Sequence, residues 1–210
     1  MKENLDRMIK AHQSRRKRYG IGEKLFLNEL CFVGTSVSHK DISNAGIIGC
    51  DFHESVFADT DFSYSNLGGS QFESCEFTRC DFIKAELYST LFRGTKMRDC
   101  SMFRAICIGT NWSNAEVNRA KFSRMLFKDS SFEGATFQSV DFTNTQFVSV
   151  NVSNTRFVDC IFDDVRIVKM QNMSKIDNES SIHVNGVLKR GEEVRAYFAH
   201  SNTLVWLKRP

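Results

Sequence analysis

The apolar and polar positions of this 210-residue chain follow a period of five. From Leu27 to Ile167 every fifth residue is core-sized, with no insertion: 29 positions, of which 16 are Phe. The chain has 19 Phe, and only Phe26, Phe103 and Phe198 lie off this period. Two residues ahead of each centre stands a small residue, mostly Ser, Thr, Ala or Cys, with Lys40 and Met125 as the long exceptions. Helical faces repeat at 3.6 and strand faces at 2, so neither one helix nor a flat strand accounts for the pattern. One small and one large inward residue in five suit a chain that turns a corner at every unit. Four corners close a square coil, and such coils stack by strand-like hydrogen bonding at about 4.8 Å per rung. The 29 units therefore predict about seven coils.

The units Cys50-Asp51-Phe52-His53-Glu54, Thr60-Asp61-Phe62-Ser63-Tyr64, Cys80-Asp81-Phe82-Ile83-Lys84 and Ala115-Glu116-Val117-Asn118-Arg119 carry a resemblance. They are similar to the pentapeptide-repeat proteins, whose units run approximately Ala-(Asp/Asn)-Leu-X-X. The resemblance implies an all-β fold, a right-handed quadrilateral parallel β-helix, over residues 27–168. Phe takes the place of the usual Leu centre.

The flanks have another texture. In residues 1–26, Leu5, Met8, Ile9 and His12 fall at helical spacing, which predicts a short amphipathic helix capping the first coil. A basic run, Arg15 to Arg18, follows and reads as a solvated helix end. In residues 169–210 a strand is expected over Ser181–Val187. A helix is expected over Glu192–His200, with Val194, Tyr197 and Phe198 on one face, and a second strand over Thr203–Leu207. This small α/β cap, with Trp206 among its apolar residues, either seals the last coil or forms a homodimer contact.

Composition narrows the class. A single Pro fits uninterrupted stacking, because proline removes ladder hydrogen bonds. No apolar run reaches the length of a membrane span, and the N-terminus lacks the apolar core of a secretory signal. Of seven Cys, Cys50, Cys75, Cys80, Cys100 and Cys160 sit on the small inward positions and Cys107 on a centre. They read as packing residues in a reducing, cytoplasmic compartment.

Charge is banded. Residues 41–90 carry 9 acidic and 2 basic side chains, residues 91–130 carry 3 acidic and 8 basic, and residues 131–168 carry 5 acidic and 2 basic. Residues one coil apart share a face, so Asp41, Asp61 and Asp81 form an acidic column, and Lys84, Arg104 and Arg124 a basic column further along. With Asp51, Glu54 and Asp59 these are the expected partner-binding residues.

Nothing in the sequence has the spacing of catalysis. His12, His39, His53, His183 and His200 are scattered, no metal-ligand spacing or phosphate loop occurs, and no cofactor, metal or small-molecule substrate is expected. Gly34, Gly49, Gly69, Gly94, Gly109 and Gly134 close their units, where the chain turns. The expectation is a non-enzymatic, protein-binding solenoid. The resemblance implies a candidate partner: quinolone-resistance members mimic a short DNA duplex and protect type II topoisomerases such as gyrase. The rod length and acidic coils agree. The basic belt, the net charge of +3 and the lack of inserted loops depart from that pattern. The alternative is an interaction scaffold or secreted bacterial effector with its specificity in the ends. Direct nucleic-acid binding is the weakest reading, because acidic coils repel phosphate and few aromatics interleave the basic residues.

Overall fold

The computed structural model describes residues 2–19 and 25–207. It is a parallel β-solenoid of about eight turns. Within the repeats the strands pair in parallel with those one coil, or 20 residues, further on: Leu27 with Ile47, Phe57 with Phe77, Phe127 with Phe147. Four faces result, named here by their centres in the first coil: Leu27, Phe32, Val37 and Ile42. The Val37 face is a seven-stranded sheet, and the lower Leu27 face, from Glu86–Tyr88 to Arg166–Val168, is a five-stranded one. The other two faces are held by single bridges between rungs, such as Asp41 with Asp61 and Gln71 with Leu91.

The period of five acts through two structural devices. The fifth residue of every unit, from Glu29 to Lys169, has φ between 49° and 69°. Most of these residues are not Gly, and a side chain in this region costs on the order of 1 kcal/mol. The ladder offsets that cost, since the corner amides of Glu54 and Lys84 donate to the carbonyls of Glu73 and Phe103. The second device is the small inward residue. Thr95 Oγ1 donates to the Phe72 carbonyl at 2.8 Å, Thr155 Oγ1 to Phe132 at 2.9 Å and Cys75 Sγ to Phe52 at 2.9 Å. The hydroxyls of Ser55, Ser65 and Ser70 also accept the amides of Thr35, Ala45 and Cys50 one coil earlier. These positions therefore satisfy buried backbone as well as admit it.

The large centres fill the interior. Phe52, Phe72, Phe92 and Trp112 stack rung on rung at 5.3, 5.6 and 4.3 Å. Neighbours around the coil meet edge to face, as Phe57 and Phe62 do at 5.4 Å.

Both ends are capped. Helix α1, Lys2–Tyr19, lays Leu5 and Ile9 on the first coil. Lys40, long where a small residue is the rule, reaches Asp6 of this helix at 2.8 Å. At the other end the strand Ser181–Val184 adds a further rung beneath Cys160–Ile161, which raises the count above the seven coils of the repeats alone. It turns back antiparallel as Val187–Arg190 and leads into α2, Glu192–Leu207. The strand expected over Thr203–Leu207 is instead the continuation of α2. A helix already nucleated adds one hydrogen bond for each residue it fixes, and this outweighs the local preference of a β-branched and aromatic run. Phe198 closes the core from below, 5.6 Å from Phe157 and 5.2 Å from Phe162. The side chains of Arg15 to Arg18 and of Trp206 lie outside the described residues.

Candidate functional site

With the inward positions taken up by packing, the candidate sites are columns of outward side chains. The nine expected residues divide among the faces and their corners. Asp41, Asp61 and Asp81 stand in consecutive rungs of the Ile42 face. Each precedes a centre, and the position has a local structural duty. Asp41 Oδ1 accepts the Ser43 amide at 3.1 Å and its hydroxyl at 2.7 Å, and Asp61 Oδ1 accepts the Ser63 amide at 2.8 Å. One carboxylate oxygen thus braces the turn while the group as a whole stays at the surface. Asp81 is the most exposed of the three. Its carboxyl is pushed up by partial burial and by the Asp61 charge, against a smaller pull from Lys121.

Lys84, Arg104 and Arg124 occupy the left-handed corner after the same face, at φ 56°, 60° and 58°. Aromatic rings hold them. Lys84 Nζ lies 5.1 Å from the Tyr64 ring centre, and the guanidinium carbons of Arg104 and Arg124 lie 5.2 and 5.8 Å from the Phe103 ring. The expectation that few aromatics interleave the basic residues is corrected at this corner. Phe103 is off the five-residue period, and its outward direction is what brings it between two arginines.

Asp51 and Glu54 are on the Phe32 face and its corner. Asp51 Oδ1 accepts the His53 amide at 3.0 Å and lies 3.1 Å from His53 Nδ1. His53 Nε2 lies 3.2 Å from Glu73, whose other oxygen is 3.1 Å from Arg93 Nε. Glu54 is exposed at the corner with φ 56°. Asp59 is on the corner after the Val37 face and is clamped by Arg79, at 2.6 and 2.7 Å. That hydrogen-bonded guanidinium holds the Asp59 carboxyl below its usual range. Asp59 is thus part of an intramolecular ion pair, and Arg119 repeats the clamp on Asp99 two coils later at 2.7 and 2.8 Å. Arg79, Asp99 and Arg119 were not among the expected residues. Opposite charges one coil apart were their visible signal.

Beside this corner a polar groove of about 670 Å³ runs along the Val37 face, lined by Glu76, Lys96, Arg98, Glu116, Asn118 and Gln138. Among the described residues no group of three or more His, Cys, Asp or Glu side chains is arranged to hold a metal ion.

Comparison with known proteins agrees with this architecture. Two profiles described as pentapeptide repeats match residues 122–166 and residues 41–79 and 65–99. No curated protein sequence matches. Three solved structures are similar in fold. HetL is a pentapeptide repeat protein involved in heterocyst differentiation regulation from the cyanobacterium Nostoc sp. strain PCC 7120. It is 10% identical, with 82% of this chain and 97% of that chain covered and a TM-score of 0.39. QnrB1, a plasmid-mediated fluoroquinolone resistance protein, is 16% identical over 74% and 93%, with a TM-score of 0.31. A pentapeptide repeat protein of the Arabidopsis thaliana thylakoid lumen is 20% identical over 60% and 68%, with a TM-score of 0.25. The unbroken units, the stacked coils and the matching profiles agree: this chain belongs to the pentapeptide-repeat proteins.

Proposed function

We propose that the protein is a non-enzymatic binding rod of the cytoplasm, and that its acidic coils engage a DNA-handling protein of the type II topoisomerase class. One observation carries this reading. Asp41, Asp61 and Asp81 set one carboxylate per rung in line along the Ile42 face. Rungs about 4.8 Å apart give a line of charge close to that of one DNA strand, with a phosphate about every 3.4 Å of axis. Partial burial and mutual repulsion act on Asp81 in that line, the electrostatic condition that an oppositely charged partner groove relieves. The line ends at Ser101 and Lys121, so the mimicry is partial and limited to the first half of the rod. The free thiols of all seven cysteines support a reducing compartment.

The scaffold reading places specificity in the terminal segments. It has less support, because the buried faces of α1 and α2 are spent on sealing the solenoid.

A supercoiling assay with purified gyrase, with and without a quinolone or a peptide toxin, tests the proposal. Added protein should relieve inhibition, and Asp61→Asn with Asp81→Asn should remove that relief. Unchanged inhibition over a wide excess of protein would overturn the topoisomerase assignment.

A further inference from the structure

We propose that the outer side of the lower Leu27 face docks an acidic amphipathic segment of a partner protein. This surface is separate from the acidic column and goes beyond the reading above. In each three-residue strand the centre points inward and its two neighbours point outward. On the Val37 face those neighbours are polar over the middle of the rod: Glu76, Lys96, Arg98, Glu116, Asn118 and Gln138. On the Leu27 face at the same height six of the ten are apolar, Tyr88, Ile106, Ile108, Leu126, Val148 and Val168, and the other four are Glu86, Lys128, Gln146 and Arg166. Tyr88 is 40% exposed and the five aliphatic residues are half-buried, and α2 approaches this sheet at its last strand, Arg166–Val168. Five strands at about 4.8 Å make a floor roughly 19 Å long. That length corresponds to about 13 residues of helix at 1.5 Å each.

The rim identifies the occupant. Lys84, Arg104 and Arg124 follow one edge, on the corner leading into this face, and Lys128 stands at the other. Stacking on Phe103 holds the two guanidiniums at the corner, where their N–H groups remain able to meet carboxylates. Three acids, Glu86, Asp129 and Asp164, also border the floor, and with Arg166 and Lys169 at its lower end the rim stays net basic. An apolar floor with a basic rim fits a segment that is apolar on one side and acidic on its flanks. A second copy related by a two-fold axis would set basic rim against basic rim. A phospholipid surface, whose anionic headgroups the basic rim would also meet, is separated from a peptide segment by the vesicle arm of the test.

The test pans a display library of 15-residue peptides on the full-length protein at low ionic strength. The enriched peptides should be acidic, with apolar residues spaced for one face. A synthetic copy of the strongest should lose about ten-fold in affinity with Ile108→Glu, as a central contact does. With Arg104→Glu and Arg124→Glu it should bind more weakly and lose its salt dependence. Each variant should keep the wild-type melting temperature. Enrichment of neutral or basic peptides, or binding indifferent to Ile108→Glu, would overturn the proposal. So would Ile108-dependent sedimentation with phosphatidylserine–phosphatidylcholine vesicles, or a wild-type dimer that Ile108→Glu dissociates. The gyrase assay reads Asp61 and Asp81, so either proposal can fail while the other stands.

Discussion

Arg79 grips both carboxylate oxygens of Asp59 from one coil further along the rod, at 2.6 and 2.7 Å. Both residues sit on the corner of the solenoid with φ near 50°, so the corner that turns the chain also sets their spacing. The guanidinium lowers the Asp59 pKa below the unfolded value. The pair's stabilisation is therefore present above the ordinary carboxylate range and is lost as the pH falls through the depressed folded value. Arg79→Ala should lower the melting temperature slightly at neutral pH, because the pair is exposed. Melting curves of variant and wild type recorded at descending pH should converge in acid. A constant gap across the whole range would mean that Arg79 acts through packing and not through the charge.

The interior should be intolerant of truncation. Phe82 is fully buried, lies parallel to Phe62 at 4.8 Å and meets Phe77 edge to face at 5.3 Å. Its rung has neighbours above and below, so collapse onto the cavity is restricted. Phe82→Ala should cost about 3–5 kcal/mol in urea unfolding. A cost under about 1 kcal/mol would show that the coils can close over a missing ring.

The small inward positions make a subtler prediction. Thr145 Oγ1 donates to the Phe122 carbonyl at 2.6 Å and accepts the Met125 amide at 3.3 Å. Val has nearly the same shape and neither capacity. In the variant the freed Met125 amide can turn to the Phe122 carbonyl, the bond that the Ala135 amide makes to the Phe132 carbonyl at the equivalent position. Thr145→Val should therefore cost about 0.5–1.5 kcal/mol, the net worth of a hydrogen bond, and Thr145→Ser less. Chemical denaturation of the three proteins decides it, and equal stability of Val and Thr would leave smallness as the only requirement at this position.

The solenoid is legible in the sequence because Phe57, Phe77 and their equivalents have one environment repeated by the coil, and a repeated environment selects a repeated residue. The hydrogen-bonding duty of Ser65 or Thr95 is hidden in that reading, since Ser, Thr, Cys and Ala look alike as small residues. Asp59 and Arg79 are separated by the coil length, so their pairing can be read once corners are known to stack. Phe103 gives no such warning, because its role depends on the outward direction of one side chain beside Arg104 and Arg124. The end of α2 is obscured for another reason. Thr203–Leu207 has a strand-like composition, and only its continuity with the preceding helix decides its conformation.

The N-terminal cap hinges on one buried imidazole. His12, 4% exposed on α1, receives the Leu25 amide on Nδ1 at 2.9 Å and faces the Ser43 carbonyl with Nε2 at 3.2 Å. An amide can only donate and a carbonyl only accept, so the ring is held with its proton on Nε2. It ties the helix both to the chain entering the first coil and to the rung below it. His12→Ala would leave two buried backbone groups short of these partners, at about 1–3 kcal/mol. Asp6→Ala removes only the surface contacts to Lys10 and Lys40, which are worth far less. Hydrogen exchange should therefore rise at the Leu25 and Gly46 amides in His12→Ala and hardly change in Asp6→Ala, since Gly46 donates to the Leu25 carbonyl in the same edge. Amides from Phe72 to Phe142 should keep wild-type protection in both variants, because each coil depends only on its neighbours. Faster exchange throughout the rod in His12→Ala would show instead that the cap and the solenoid unfold as one unit.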